Sequence, residues 1–207
     1  MSDFNHLVAD AKEFLTRLAA ENTRDWFLEH KSEYDTKLKG PATLLLDQIA
    51  ARLGKRFDTS VKPKLFRANR DVRFSKDKTP YHTHLHMLWS DTGGPDAPGW
   101  FFGIAPDYVT AGWGYMGFTP SQLTTWRALV DSDESIADEI AATGMTLREP
   151  ALKRVPAPFA KDHPRGELLR HKALTLWQEF EPVNLEEDLL EQFEKAAPLH
   201  RSLTPRL

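Results

Sequence analysis

The chain has 207 residues, with 27 Lys and Arg against 30 Asp and Glu, for a formal net charge of −3. Its 41% hydrophobic content, including 6 Trp and 12 Phe, is enough for a sizeable core and excludes disorder across the whole chain. The absence of cysteine excludes disulfides, thiolate chemistry and a cysteine-type zinc site, which fits a cytoplasmic protein, and no apolar run is long enough to cross a bilayer.

The opening residues, MSDFNHLVADAKEF, are polar and acidic and do not read as a signal peptide. Leu7, Ala11, Phe14, Leu15 and Leu18 recur at helical spacing and predict a first helix over 3–20. Asn22 reads as the N-cap of a second helix, with Asp25 three residues on reaching back. That helix presents Phe27, Tyr34 and Leu38 on one stripe, with Trp26 and His30 beside it, and Gly40-Pro41 breaks or restarts it. Leu44, Leu45, Ile49 and Leu53 then mark a third helix, with Gly54 as its C-cap.

The segment 62–81 stands out by charge. Lys62, Lys64, Arg67, Arg70, Arg73, Lys76 and Lys78 face only Asp71 and Asp77, a local +5 that leaves −8 for the remainder. Phe66, Phe74 and Tyr81 punctuate the run, so it is expected to be anchored in the core at intervals. Alternation around Val72 and Phe74 predicts a short strand with Asp71 and Arg73 on one face. Residues 75–80 read as a turn, and Asp71 as an internal partner for a guanidinium. Strict alternation over 81–89 then places Leu85, Met87 and Trp89 on one face and His82, His84 and His86 on the other. Same-face neighbours on a strand lie more than about 6 Å apart. The three imidazoles are therefore read as a polar sheet face or the wall of a site, and no metal is expected.

Residues 91–99 form a turn-rich loop. Two antiparallel strands follow, 100–105 and 108–118, joined near Pro106-Asp107. Their glycines fit neither a phosphate loop nor a dinucleotide fingerprint, and no cofactor is specified. Thr119-Pro120 opens a helix carrying Leu123, Trp126, Leu129 and Val130, and Ile136 and Ile140 mark another ending near Gly144. An extended stretch over 146–155, a short helix after Asp162-His163-Pro164, and a last strand over 173–180 come next. Asn184 caps the final helix with Glu187 in the capping-box position. The whole reads as α+β: N-terminal helices, a central antiparallel sheet of about five or six strands, and further helices. One domain over 1–197 is expected, with a loose tail over 198–207.

Several of these segments resemble a widespread conserved family, domain of unknown function 2461. They are Asn22 to Phe27 with His30-Lys31 and Tyr34, then Phe66-Arg67 and Arg70 to Tyr81, and later Leu152-Lys153-Arg154 to Pro156 and Asp162-His163-Pro164 with Leu168-Leu169. His82 stands where the family pattern has lysine, and Trp113 where a small residue is usual. The resemblance covers nearly the whole chain and implies a fold without an agreed activity.

The leading functional expectation is a basic pocket for a small anionic, phosphorylated ligand. Arg67, Arg70, Arg73, Lys76, Lys78 and Tyr81 would meet Lys153 and Arg154 from the second basic segment in one concavity. If chemistry follows, His163 or Asp71 would act as acid or base. Two alternatives stay open: a single-stranded nucleic-acid module with Phe66, Phe74 and Tyr81 as stacking partners, and an interaction domain for an acidic protein. No membrane partner is expected.

Overall fold

The computed structural model describes residues 4–92 and 97–207. The first helix, α1 (Asn5–Ala20), buries Leu7, Ala11, Phe14, Leu15 and Leu18, the stripe its spacing predicts. The expected cap at Asn22 is not used. Thr23 caps α2 (Arg24–Glu29) instead, its hydroxyl accepting from the Trp26 amide at 3.2 Å. After a short turn, α3 (Lys31–Glu33), the backbone widens into a π-helical segment over Tyr34–Lys39 and passes directly into α4 (Gly40–Phe57). Gly40-Pro41 therefore does not interrupt the helix. A wider turn shifts the hydrogen-bond pattern where proline has no N–H to donate. Gly54 is not the C-cap either: α4 continues to Phe57 and closes on Asp58, whose φ of 50° lies in the left-handed region.

Six strands form one antiparallel sheet in the order β1-β2-β3-β4-β6-β5. They are β1 (Val61–Leu65), β2 (Leu85–Asp91), β3 (Gly99–Ile104), β4 (Val109–Tyr115), β5 (Thr146–Leu147) and β6 (Leu174–Glu179). The strand expected around Val72 and Phe74 does not form, and the extended stretch after Thr146 is limited to two residues. The missed strand, β1, carries a proline at its centre. Proline is confined to sheet edges, and β1 is an edge. Part of the expected 91–99 loop lies outside the described residues.

One face of the sheet carries the core. Leu85, Met87 and Trp89 of β2, Trp100 and Phe102 of β3, and Ala111 and Trp113 of β4 are all at most 2% exposed. Helices α1, α4 and α8 (Leu185–Lys195) pack against the sheet, and Trp89 Nε1 donates to the Leu46 carbonyl of α4 at 2.8 Å. Thr119-Pro120 opens α5 (Pro120–Ser132) as expected, and Thr119 and Gln122 form a capping box, satisfying each other's amides. A short α6 (Ser135–Ala142) and a single-turn α7 (Gly166–Leu169) follow. At α8 the predicted box is replaced: Asp188 Oδ2 accepts from the amides of Val183 and Asn184 at 2.7 and 2.9 Å.

The stretch from Pro198 is not a loose tail. It lies in α9 (Ala197–Leu203), which buries Leu199 and Leu203 and sets His200 against Phe57 and Trp100. Among the described residues no helix is long and apolar enough to cross a membrane. Because Leu203 is fully buried, Leu203→Ala is expected to cost about 2–5 kcal/mol. At ~2–4 °C per kcal/mol for a chain of this size, a clear fall in the melting temperature should follow, whereas a free tail would give none.

Candidate functional site

The basic loop between β1 and β2 is braced from within. Arg70 Nη1 donates to Asp77 Oδ2 at 2.6 Å, to the Thr79 carbonyl at 3.1 Å and to the Thr79 hydroxyl. Arg73 grips Asp71 with two nitrogens, at 2.9 and 2.6 Å, and Lys78 Nζ donates to the Val72 carbonyl at 2.9 Å. Backbone bonds from Arg70 N to Pro80 O and from His82 N to Ala68 O tie the two limbs together. Asp71 is held below the ordinary carboxylate range, chiefly by the Arg73 guanidinium. Asp77 is pushed down to about 2 by the Thr79 amide and then by Arg70. Three of the seven cations that make this segment conspicuous, Arg70, Arg73 and Lys78, are thus spent on its own carboxylates and carbonyls. Phe74 is not anchored in the core: it is 96% exposed, beside an exposed Arg73. Tyr81 is buried and stacks on Phe27 with centroids 4.0 Å apart.

The loop is tied to the helices through Asn22, which has a different role from the predicted cap. Its side-chain amide donates to the Tyr81 carbonyl at 2.9 Å and accepts from the Tyr81 amide at 3.1 Å. Arg67 lines a cavity of about 400 Å³ together with Lys31, Asp35 and Lys39. Asp35 is held ionised there, chiefly by its hydrogen bond from Lys31. His30 turns away and stacks on Trp26 at 4.0 Å.

The second basic segment sits elsewhere. Lys153, Arg154, Lys161, His163, Glu167 and Arg170 line a cleft of about 540 Å³. No residue of the 66–84 loop contributes to it. The two segments flank opposite edges of the sheet, one after β1 and the other after β5. Five strand spacings separate those edges, about 24 Å at ~4.8 Å each. The expected shared concavity therefore does not form, because a six-stranded sheet stands between its two halves. Within the cleft, four cationic side chains face one carboxylate. None of the four is ion-paired with a carboxylate among the described residues, unlike Arg70 and Arg73.

The cleft wall is a rigid frame. His163 Nδ1 accepts from the Arg165 amide at 3.0 Å, which leaves its Nε2–H to donate to Asp131 Oδ1 at 3.1 Å. Arg165 reaches the carbonyls of Val130 and Asp131 at the end of α5, at 2.6 and 2.9 Å. Both ring nitrogens of His163 are occupied, so it serves here as a strut. A Cβ on Gly166 would approach Val155 Cγ2 to 2.9 Å, so glycine lets α7 close against the loop. Lys161 and Arg170 are not among the residues that the sequence singles out. Lys161 stands two residues before His163, yet only folding shows that it and Arg170 join Lys153 and Arg154.

The histidines of β2 stack more closely than strand spacing alone implies. His84 and His86 lie 3.6 Å apart between centroids at 15°, and His82 and His84 4.7 Å apart. Among the described residues no group of three or more His, Cys, Asp or Glu is arranged to hold a metal ion. Burial is the main cause that pushes His84 down to about 4 and His86 down to about 3, from the ordinary 6.5. His86 Nε2 also lies 2.8 Å from the Tyr108 hydroxyl. A family model described as "Conserved hypothetical protein (DUF2461)" matches residues 10–203. No curated protein matches the chain.

Two outcomes follow from this geometry. Removing the paired hydrogen bonds in Asn22→Ala is expected to cost about 1–3 kcal/mol in urea denaturation and to speed tryptic cleavage within 73–78; unchanged cleavage would mean the loop holds itself. The lowered imidazoles favour proton uptake by the unfolded chain. Their contribution is complete above about pH 6.5 and is lost as pH falls toward about 4 and about 3. The melting temperature should therefore fall between pH 7 and pH 5, less steeply in a His84→Phe/His86→Phe variant.

Proposed function

The chain belongs to the DUF2461 family of conserved hypothetical proteins, and from that premise we propose that it binds a small phosphorylated anion in the cleft of Lys153, Arg154, Lys161 and Arg170. One observation carries this reading: these four cations line a single cavity and have no ion-pair partner among the described residues. An unpaired guanidinium offers a planar fork of donors matched to phosphate oxygens, and lysine adds mobile charge around it. The frame of His163 and Arg165 orders the wall before the ligand arrives, which lowers the entropic cost of binding.

The same geometry supports binding rather than turnover. His163 has no free nitrogen, and Asp71 is held ionised by Arg73 on the other side of the sheet. Of the first basic segment, Arg67 has the best claim to a second anion contact, since it shares a cavity with Lys31 and Lys39. The lack of cysteine supports a cytoplasmic setting.

A thermal-shift screen with inorganic phosphate and phosphorylated metabolites tests the reading. Ligand at a hundred times its Kd stabilises by about 2.7 kcal/mol, a rise of several degrees at this chain length. Lys153→Glu/Arg154→Glu should abolish the rise, and Arg73→Glu should leave it intact. A rise that survives in the cleft variant would remove the ligand from this cleft.

A further inference from the structure

The helices that pack on the sheet cover its inner face, and the outer face carries a continuous row of rings. Phe66, just past β1, meets His86 of β2 edge-on, with centroids 6.4 Å apart at 90°. His86 meets Phe101 of β3 at 4.9 Å and 71°, and Phe101 meets Trp177 of β6 at 4.9 Å and 81°. Strand β4 lies between β3 and β6 and contributes a glycine where a ring would otherwise stand. A Cβ on Gly112 would approach Trp177 Cε3 to 2.6 Å, so the indole lies over β4 and closes the gap. The row crosses four strand spacings, about 19 Å. All four rings keep part of their surface open to solvent.

Charge accompanies the rings. Lys62 and Lys64 of β1 are exposed and register opposite Ser90 and Leu88, which places them on this outer face. Lys64 Nζ lies 4.6 Å from the centre of the Phe66 ring. Arg67 continues the positive edge, and its field reaches His82. On the same face, at the far end, β6 contributes the exposed carboxylate of Glu179. His84 and His86 are neutral near pH 7 because burial penalises their charged forms, so they present uncharged π faces.

We propose that the outer face of this sheet is a stacking platform for single-stranded nucleic acid, with Phe66, His86, Phe101 and Trp177 contacting bases and Lys62 and Lys64 contacting phosphates. Unpaired bases of any sequence stack on such rings, and flanking cations track the backbone. The platform is independent of the Lys153 cleft, and its occupant is a polymer rather than a small anion.

The test is fluorescence anisotropy with labelled ~12-nucleotide oligothymidylate and oligouridylate, a length within the usual range for one binding module. Binding to either strand at low salt, weakening as salt rises, is expected. Phe101→Ala and Trp177→Ala should each weaken it at least about fivefold, the effect of unstacking one base. Lys62→Glu/Lys64→Glu alters only exposed side chains, so it keeps the test valid if a ring variant fails to fold. It should flatten the slope of log K against log salt by about 0.7 for each phosphate that is no longer neutralised. Equal affinity for a duplex of the same length would overturn the proposal. So would the absence of binding, or loss of binding in Lys153→Glu/Arg154→Glu alone. A dimer in sedimentation that Phe101→Ala dissociates would overturn it too, by assigning the face to a second copy of the chain. Phosphate-induced stabilisation is unaffected by any platform variant, so failure here and failure of the cleft reading are separable.

Discussion

One-sided burial of the sheet governs the rest of the structure. Trp89, Trp100 and Trp113 come from three adjacent strands and are at most 2% exposed on the same face. Rings of this size need a thick apolar layer above them, which α1, α4 and α8 supply. Even the polar edge of Trp89 is answered from that layer, by a carbonyl of α4. With the helices committed to one side, the opposite face is left to half-buried rings, histidines and glycines.

Charge in this chain divides by whether it finds a partner. In the 66–84 loop, Arg70 and Arg73 are held by Asp77 and Asp71, and the carboxylates are held ionised in return. These exposed pairs add little to stability. Their effect is to give the loop a definite shape that carries Phe74 into solvent. Across the sheet, Lys153, Arg154, Lys161 and Arg170 have no such partners and line one cleft. Arg70 and Arg73, at the centre of the most conspicuous basic run, are thus less available than the four cations of the cleft.

The departures from local sequence pattern share a cause. Caps, tails and turns are decided by small energy differences that tertiary contacts override. Thr23 takes the cap because Asn22 is already committed to both backbone groups of Tyr81, 59 residues away. The chain beyond Pro198 is helical because Leu199 and Leu203 are buried in the core and His200 packs against Phe57 and Trp100. Aromatics are usually buried, which makes Phe74 look like an anchor in the sequence, yet the bracing of its loop points it outward.

Local pattern alone determined the helical stripe of α1, the burial of Leu85, Met87 and Trp89 against His84 and His86, the start of α5 at Thr119-Pro120 and the α+β class, because each depends on residues within one or two turns or pleats of each other. Only the tertiary structure decided which cations meet. Arg154 and Arg170 are 16 positions apart and line one cleft, while Arg70 and Arg154, both arginines in conspicuous basic runs, lie beyond opposite edges of the sheet. Strand order cannot be read from local pattern, and it is strand order that keeps the two basic segments apart and brings Phe66, His86, Phe101 and Trp177 into one row.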